Sequence, residues 1–360
     1  MKKEFLDKLD DLLPLVESPG RYVGNELNVV EKDITADTIR FAFAFPDIYE
    51  VGMSHLGMKI LYHLLNEQEA VYCERTFAPW IDMEKVMREN DIPLYTLESK
   101  DKLSDFDFVG FTLQYEMSFS NILNMLDLGQ IPIYSKDRGE EDPFIIVGGP
   151  CAFNTEPLAD FVDIVVVGEA EEVLLELIDV YKRNKGTSRK DLLKKFMTLK
   201  GVYIPSFYDV EYNEEGAISQ VKPLVEGAPE KIQKRYIENL DKVSFPDKII
   251  LPYIQTVHDR IMLEVFRGCT RGCRFCQAGM IYRPMREQSP ERLKEDARKL
   301  LEATGYDEIS LSSLSTTDYS KLPELIHYLK EYEEKKVSVS LPSLRIDTFS
   351  IGLADELQKV

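Results

Sequence analysis

From Ile39 onward the sequence alternates short apolar runs with amphipathic stretches, and this alternation constrains its fold more than any other feature. Residues 39–45, 108–113, 144–147 and 164–167 are rich in β-branched and aromatic residues and too short for buried helices, so they are predicted as buried strands. Residues 57–66, 117–128 and 170–181 carry apolar side chains at helical spacing and are predicted as the helices between them. Strands joined through helices run parallel, so the expected architecture is α/β, a mainly parallel sheet with helices on both faces. A docking helix over residues 3–16 precedes it, with Phe5, Leu6, Leu9, Leu12, Leu13 and Val16 on one side and Ser18-Pro19-Gly20 as its stop.

The rhythm breaks over residues 185–250. A basic amphipathic helix at 190–199 is followed by two strands, 201–209 and 210–222, expected to form a hairpin around Asn213-Glu214-Glu215-Gly216. Pro223, Pro229 and Pro246 punctuate what reads as a connector. Strand and helix then return: residues 262–266, 308–312 and 337–341 as strands, a helix started by Ser289-Pro290-Glu291, and another around 319–332. The expected organisation is an N-terminal helix and extension (1–35), a first α/β domain (36–185), a connector with a hairpin (186–255) and a second strand-helix domain (256–360).

Composition places the chain among cytoplasmic proteins. Of its 360 residues 44% are hydrophobic, enough for two cores, yet there is no run of 18 apolar residues and no secretory leader at the N-terminus. A net charge of -19 argues against broad contact with nucleic acid, which needs a basic surface. Between residues 259 and 286 the balance reverses: Arg260, Arg267, Arg271, Arg274, Arg283 and Arg286 outnumber Asp259 and Glu264. These arginines could hold a carboxylate or an anionic substrate, or offset an anionic group in a solvated loop.

Of the five cysteines, Cys73, expected after a short strand, and Cys151, after the Gly148-Gly149-Pro150 turn, read as small buried hydrophobes, Cys151 with a second reading at the ligand edge of the first domain. Cys269, Cys273 and Cys276 stand together in Arg267-Gly268-Cys269-Thr270-Arg271-Gly272-Cys273-Arg274-Phe275-Cys276. No other cysteine or histidine is close enough in sequence to complete a set of four. A cubane iron-sulfur cluster needs four iron ligands, so three thiolates would leave one iron open for an exogenous donor. The alternatives are a zinc site, which prefers four closed ligands usually arranged as two Cys-x2-Cys pairs, a disulfide within the loop, or a loop without metal.

The Cys-x3-Cys-x2-Cys spacing, with aromatic Phe275 before the third cysteine, resembles the signature of the radical S-adenosylmethionine (SAM) superfamily. Three further segments are similar to an uncharacterised bacterial subfamily of its cobalamin-binding-domain class: Arg21-Tyr22-Val23-Gly24-Asn25-Glu26, Pro46-Asp47-Ile48-Tyr49-Glu50-Val51-Gly52-Met53-Ser54, and Cys276 through Pro284. The resemblance implies a doubly wound, Rossmann-like, cobalamin-binding-type sheet followed by a radical SAM partial (β/α) barrel, incomplete at three strand-helix units. Because the sequence stops at Val360 within an amphipathic helix, a fragment is expected, or a partner that completes the sheet.

The implied cofactors are a 4Fe-4S cluster on Cys269, Cys273 and Cys276, SAM on the open iron, and cobalamin as a candidate third. The implied chemistry is release of a 5'-deoxyadenosyl radical, or methyl transfer through cobalamin, with an unidentified substrate and a reductant such as ferredoxin or flavodoxin. A tRNA-modifying methyl- or methylthiotransferase and a non-catalytic iron-sulfur module are the competing functions. By analogy, Phe275, Ser312, Ser313, Ser340 and Arg345 are the candidate SAM contacts, set against a reading in which the serines satisfy turns and Arg345 pairs with Asp347.

Gly148 and Gly149, in the turn before Pro150, are candidate ligand-approach positions, or simply a tight turn. Family members that bind cobalt through a histidine carry Asp-x-His-x-x-Gly, whereas the sequence here is Met53-Ser54-His55-Leu56-Gly57. His55 therefore lacks the aspartate that would orient a ligating imidazole, and a helix-start or packing role is expected. His63 and His327 are expected to be partly buried in helices, and the role of His258 is open.

Overall fold

The computed structural model describes residues 2–345 and 347, and the chain divides into two compact units, one of residues up to Asn25 with Val29–Tyr236, the other of Glu26–Asn28 with residues from Ile237. The helix expected at the end of the sequence lies outside the described residues. No described helix is long and apolar enough to cross a membrane.

In the first unit β1 (Ile39–Phe45), β2 (Val71–Phe77), β3 (Phe108–Thr112), β4 (Phe144–Gly148) and β5 (Ile164–Val166) form a parallel sheet in the order β2-β1-β3-β4-β5. β6 (Val202–Tyr203) adds antiparallel to β5. The connecting helices are α2 (Tyr49–Gly52), α3 (Leu56–Asn66), α4 (Ile81–Glu89), α5 (Phe119–Leu128) and α6 (Glu171–Arg183); α1 (Lys2–Leu12) precedes the sheet and α7 (Arg189–Phe196) follows it. β1 alternates phenylalanine and alanine, so large side chains pack one face while small ones leave room on the other. Phe41 stacks on Phe108 with ring centroids 6.0 Å apart, and a Cβ at Gly110 would lie 2.6 Å from the Phe41 ring, which is why β3 carries a glycine there. Phe108, Phe144, Tyr181 and Phe196 continue the aromatic core onto α6 and α7.

α4 was not foreseen, and β2 only as a short strand ahead of Cys73. β2 is buried along its whole length but contains Glu74 and Arg75, which hide it from a search for apolar runs. Both charges are partnered: Glu74 by Arg40 at 2.6 Å and Thr96 Oγ1 at 2.6 Å, Arg75 by Glu98 at 2.7 Å. Cys73, expected after a strand, lies in the middle of this one. The expected strand 201–209 is divided, because Pro205 opens a 3-10 turn between β6 and the next strand. The hairpin is β7 (Tyr208–Tyr212) with β8 (Ile218–Pro223), turning at Asn213 to Ala217 and belonging to the first unit.

The second unit has a parallel sheet in the order β13-β12-β9, with β9 (Ile261–Glu264), β12 (Glu308–Ser312) and β13 (Ser338–Ser340). Two short antiparallel strands, β10 (Phe266–Arg267) and β11 (Arg286–Glu287), lie between β9 and β12 in sequence, with α8 (Ala278–Ile281) between them. α9 (Pro290–Thr304) has Ser289 as its cap, whose Oγ accepts from Arg292 N–H at 3.3 Å, and ends at Gly305 with φ 71°. α10 (Leu322–Leu329) precedes β13 and carries His327 exposed rather than partly buried. Residues 26–28 join this unit: Leu27 bridges Leu251, and the Asn28 carboxamide donates to the carbonyls of Ile249 (3.0 Å) and Ala303 (3.2 Å).

Candidate functional site

The three clustered cysteines sit on a loop that leaves and re-enters the second unit at the carboxyl end of β9. Its base is the β10/β11 ladder, Phe266 opposite Glu287 and Arg267 opposite Arg286. Gly268, at φ 91°, begins the loop; a Cβ there would fall 2.6 Å from the Pro284 carbonyl and 2.8 Å from that of Tyr282, so only glycine fits between the two arms. Cys276 N–H donates to the Cys273 carbonyl at 3.0 Å, a tight turn that leads into α8. All three thiols are free; Cys273 is exposed, and Cys269 and Cys276 are half-buried. Among the described residues no three His, Cys, Asp or Glu side chains are gathered as a metal site, so the thiols share one loop without being preassembled. As a donor set they suit iron-sulfur chemistry, since thiolate is the cluster ligand and none is lost to a disulfide. Phe275 is 93% exposed, which excludes a core role for its ring.

The segments after β12 and β13 are tied to this loop and to each other. Arg271 donates Nε–H to Asp318 at 2.9 Å, linking the cysteine loop to the turn after β12. That guanidinium holds the Asp318 carboxyl below its usual range. Thr316 N–H donates to the Ser343 carbonyl at 2.8 Å, linking the turns after β12 and β13. Neither Asp318 nor Thr316 was singled out from sequence; the available signal was an acidic residue a few positions beyond a strand end.

The predicted SAM contacts divide. Ser313 lies in the linked turn, its Oγ 3.0 Å from Thr316 Oγ1. Ser312 closes β12, and its carbonyl accepts from Val265 N–H at 3.0 Å. Arg345 pairs with Asp347, Nε to Oδ1 3.0 Å. Ser340 is turned the other way: its hydroxyl donates to Glu308 Oε1 at 2.8 Å, beside the Arg260–Glu308 ion pair at the amino end of the sheet. Of the six arginines, Arg267 pairs with Glu264, Arg283 reaches the Cys269 carbonyl at 3.4 Å, and Arg286 is bound to the carbonyls of Pro284 and Ile237. His258 hydrogen-bonds Arg260 at 3.2 Å.

In the first unit the strand order reverses between β1 and β3, where open parallel sheets leave a crevice at their carboxyl ends. The two sequence segments at 21–26 and 46–54 meet each other through Arg21 and Glu50. Arg21 donates to Glu50 at 2.8 Å, its guanidinium lies 5.7 Å from the centre of the Trp80 ring, and Trp80 N–H donates to Tyr22 Oη at 3.1 Å. Gly52 leaves space for Phe77, whose ring would lie 2.3 Å from a Cβ. His55 caps α3: Met58 N–H donates to its Nδ1 at 3.1 Å, and the side chain of Gln114 bonds the imidazole. Desolvation lowers its pKa to about 4.

The glycine turns are occupied by the chain itself. A Cβ at Gly149 would lie 2.9 Å from the Leu113 carbonyl, while Gly148 has ordinary clearance to Val166. A Cβ at Gly168 would lie 2.0 Å from the Arg235 carbonyl oxygen, and the Arg235 side chain holds Glu176 at 2.6 Å and Glu172 at 2.7 Å on α6. Cys151 is buried and its thiol is pushed up by desolvation and by Glu116; burial does the same to Cys73. Around this edge Val51, Trp80, Ile81, Tyr115, Met117 and Phe153 are exposed.

A cysteine loop of this spacing, set after a strand of a parallel sheet, defines a class. Residues 263–360 match the radical SAM superfamily, and residues 57–205 match the N-terminal region of radical SAM proteins. Both parts of the chain are thus similar to radical SAM proteins. An uncharacterised protein of Methanocaldococcus jannaschii is 26% identical over 335 residues, 89% of this chain and 57% of that protein, so the chain spans a little over half the length of this relative. Among solved structures, the cobalamin-dependent SAM radical enzyme OxsB, with aqua-cobalamin and SAM bound, aligns with a TM-score of 0.51 and 16% identity over 85% of this chain and 38% of that one. The radical SAM methyltransferase TsrM from Kitasatospora setae, with cobalamin and a 4Fe-4S cluster bound, aligns at 0.48 and 13% identity over 83% of this chain and 51% of that one. With OxsB the chain shares a mixed α/β fold containing a parallel sheet.

Proposed function

We propose that this chain carries the SAM-cleaving centre of a radical SAM enzyme, with Cys269, Cys273 and Cys276 as the three iron ligands of a 4Fe-4S cluster. The observation that carries the reading is the set of three free thiols on one loop, anchored by the β10/β11 ladder at the carboxyl edge of a parallel sheet. Held by Cys269, Cys273 and Cys276 and reduced by an external electron carrier, such a cluster would supply the one electron needed to split the sulfonium C–S bond of SAM into methionine and a 5'-deoxyadenosyl radical able to take hydrogen from a substrate. The chain's own residues hold and orient. Gly268 lets the loop arms close, and Arg271 fixes the loop to Asp318. The exposed Phe275 ring offers a stacking face for a nucleoside, and the Ser312-Ser313 turn offers a hydroxyl and carbonyls to an ammonium. Arg345 offers a guanidinium to a carboxylate once it parts from Asp347.

The finer architecture belongs to the same proposal: a doubly wound sheet in the first unit and the start of a partial barrel in the second. The strand order β2-β1-β3-β4-β5 supports the former. The first unit would hold a corrinoid at its carboxyl edge, where the exposed Val51, Trp80, Tyr115, Met117 and Phe153 offer an apolar bed; the shared fold with OxsB supports this. The reductant would be a small electron carrier such as ferredoxin or flavodoxin.

Anaerobic reconstitution with iron and sulfide tests the centre. The wild-type chain should take up about four irons, its reduced cluster should show an EPR signal that shifts on adding SAM, and 5'-deoxyadenosine should form. Cys273→Ala should hold less iron and form no detectable 5'-deoxyadenosine. A reduced cluster whose signal ignores SAM would remove the enzyme reading.

A further inference from the structure

We infer that a corrinoid bound by the first unit receives no imidazole from that unit, because His55, the histidine at the carboxyl edge of its sheet, already spends a ring nitrogen on capping α3 and is bonded by the Gln114 side chain. The inference rests on the corrinoid reading above. Nδ1 accepts from Met58 N–H at 3.1 Å and so carries no proton; the neutral ring then holds its proton on Nε2, and the Gln114 side chain also bonds the ring. Gln114 is itself oriented, donating through Nε2 to Thr112 Oγ1, which leaves its carbonyl oxygen for the imidazole. A metal takes an unprotonated ring nitrogen, and an orienting acceptor normally holds the proton on the other. Here the unprotonated nitrogen is the one that caps a helix.

The packing around the ring restricts rearrangement. Phe45 lies 5.4 Å from it, centroid to centroid, and Gly57 is so close that a Cβ would fall 2.8 Å from His55 Cε1. Turning the imidazole outward would uncap α3 and free Gln114 together. The first unit's other histidine, His63, sits in the last turn of α3 and is 3.3 Å from Glu67. His55 is therefore a positioning residue that holds the start of α3 against the Gln114 turn.

Cobinamide, a corrinoid without its own lower base, separates the outcomes. Any three-line nitrogen splitting in the EPR spectrum of its Co(II) form must come from the protein. The sole tryptophan, Trp80, stands at the same edge and reports binding by quenching of its fluorescence. We expect cobinamide to quench Trp80 in the full chain and in His55→Asn with dissociation constants within about twofold, and the Co(II) spectra of both to lack nitrogen splitting. Asparagine can cap a helix, so His55→Asn should melt near wild type while His55→Ala melts lower. Quenching accompanied by a three-line splitting that His55→Asn abolishes overturns this inference alone. A tenfold loss of affinity in a folded His55→Asn does the same. Absence of any cobinamide binding to wild type overturns the corrinoid reading and takes this inference with it.

Discussion

At the residue scale, two positions show how a single atom fixes the site. A methyl group at Gly268 would meet carbonyl oxygens on the opposite arm of the cysteine loop, in a backbone conformation that alanine resists. Gly268→Ala should therefore spread the loop, lower iron uptake on reconstitution and destabilise the second unit by about 1–3 kcal/mol, measured by iron content and thermal melting. His55 gives a pH dependence. Its folded pKa, near 4, lies below the ordinary value of 6.5, so between these values the unfolded chain binds the extra proton. The stability that neutral His55 contributes is complete above about pH 6.5 and is lost as pH falls towards 4. The midpoint of urea unfolding should fall over that window in wild type and fall less steeply in His55→Asn.

Legibility differed from element to element for definable reasons. β1, β3, β4 and β5 could be read from sequence because parallel strands buried on both faces are apolar throughout, and β12 and the start of α9 because a short β-rich run and a Ser-Pro cap are local signals. β2 was legible only as a short strand ahead of Cys73: its Glu74 and Arg75 find partners in Arg40 and Glu98, residues distant in sequence. The site follows the same division. The cysteine triplet is one contiguous motif, whereas the Arg271–Asp318 link depends on two turns meeting, and the orientation of Ser340 towards Glu308 on a side-chain contact that spacing does not encode. A similar long-range contact secures β5. Asp163 receives Arg138 at 2.9 Å, Arg189 at 2.8 Å and Ile145 N–H at 2.8 Å, all in the interior. Asp163→Asn leaves two buried guanidiniums without a counter-charge and should cost on the order of 3–5 kcal/mol, read as a lower urea midpoint.

For the whole molecule, charge and chain path set the behaviour. With a formal charge of -19, the folded chain repels itself, so raising monovalent salt from about 20 to 200 mM should raise its melting temperature by a few degrees through screening; an unchanged or lower melting temperature would show that local ion pairs dominate instead. The division between units falls at Tyr236 because Arg235 is still bound into the first one, its backbone in the Gly168 turn and its side chain on α6. The second unit also recruits residues 26–28 from far upstream. During synthesis Asn28 leaves the ribosome long before its acceptors Ile249 and Ala303, 221 and 275 positions later. At ordinary elongation speeds that wait is tens of seconds, roughly 10–60 s, ample for the intervening first unit to fold. The order of manufacture is thus built into the thread: the second unit closes on a segment made well before the rest of it, so it cannot finish folding from its later residues alone.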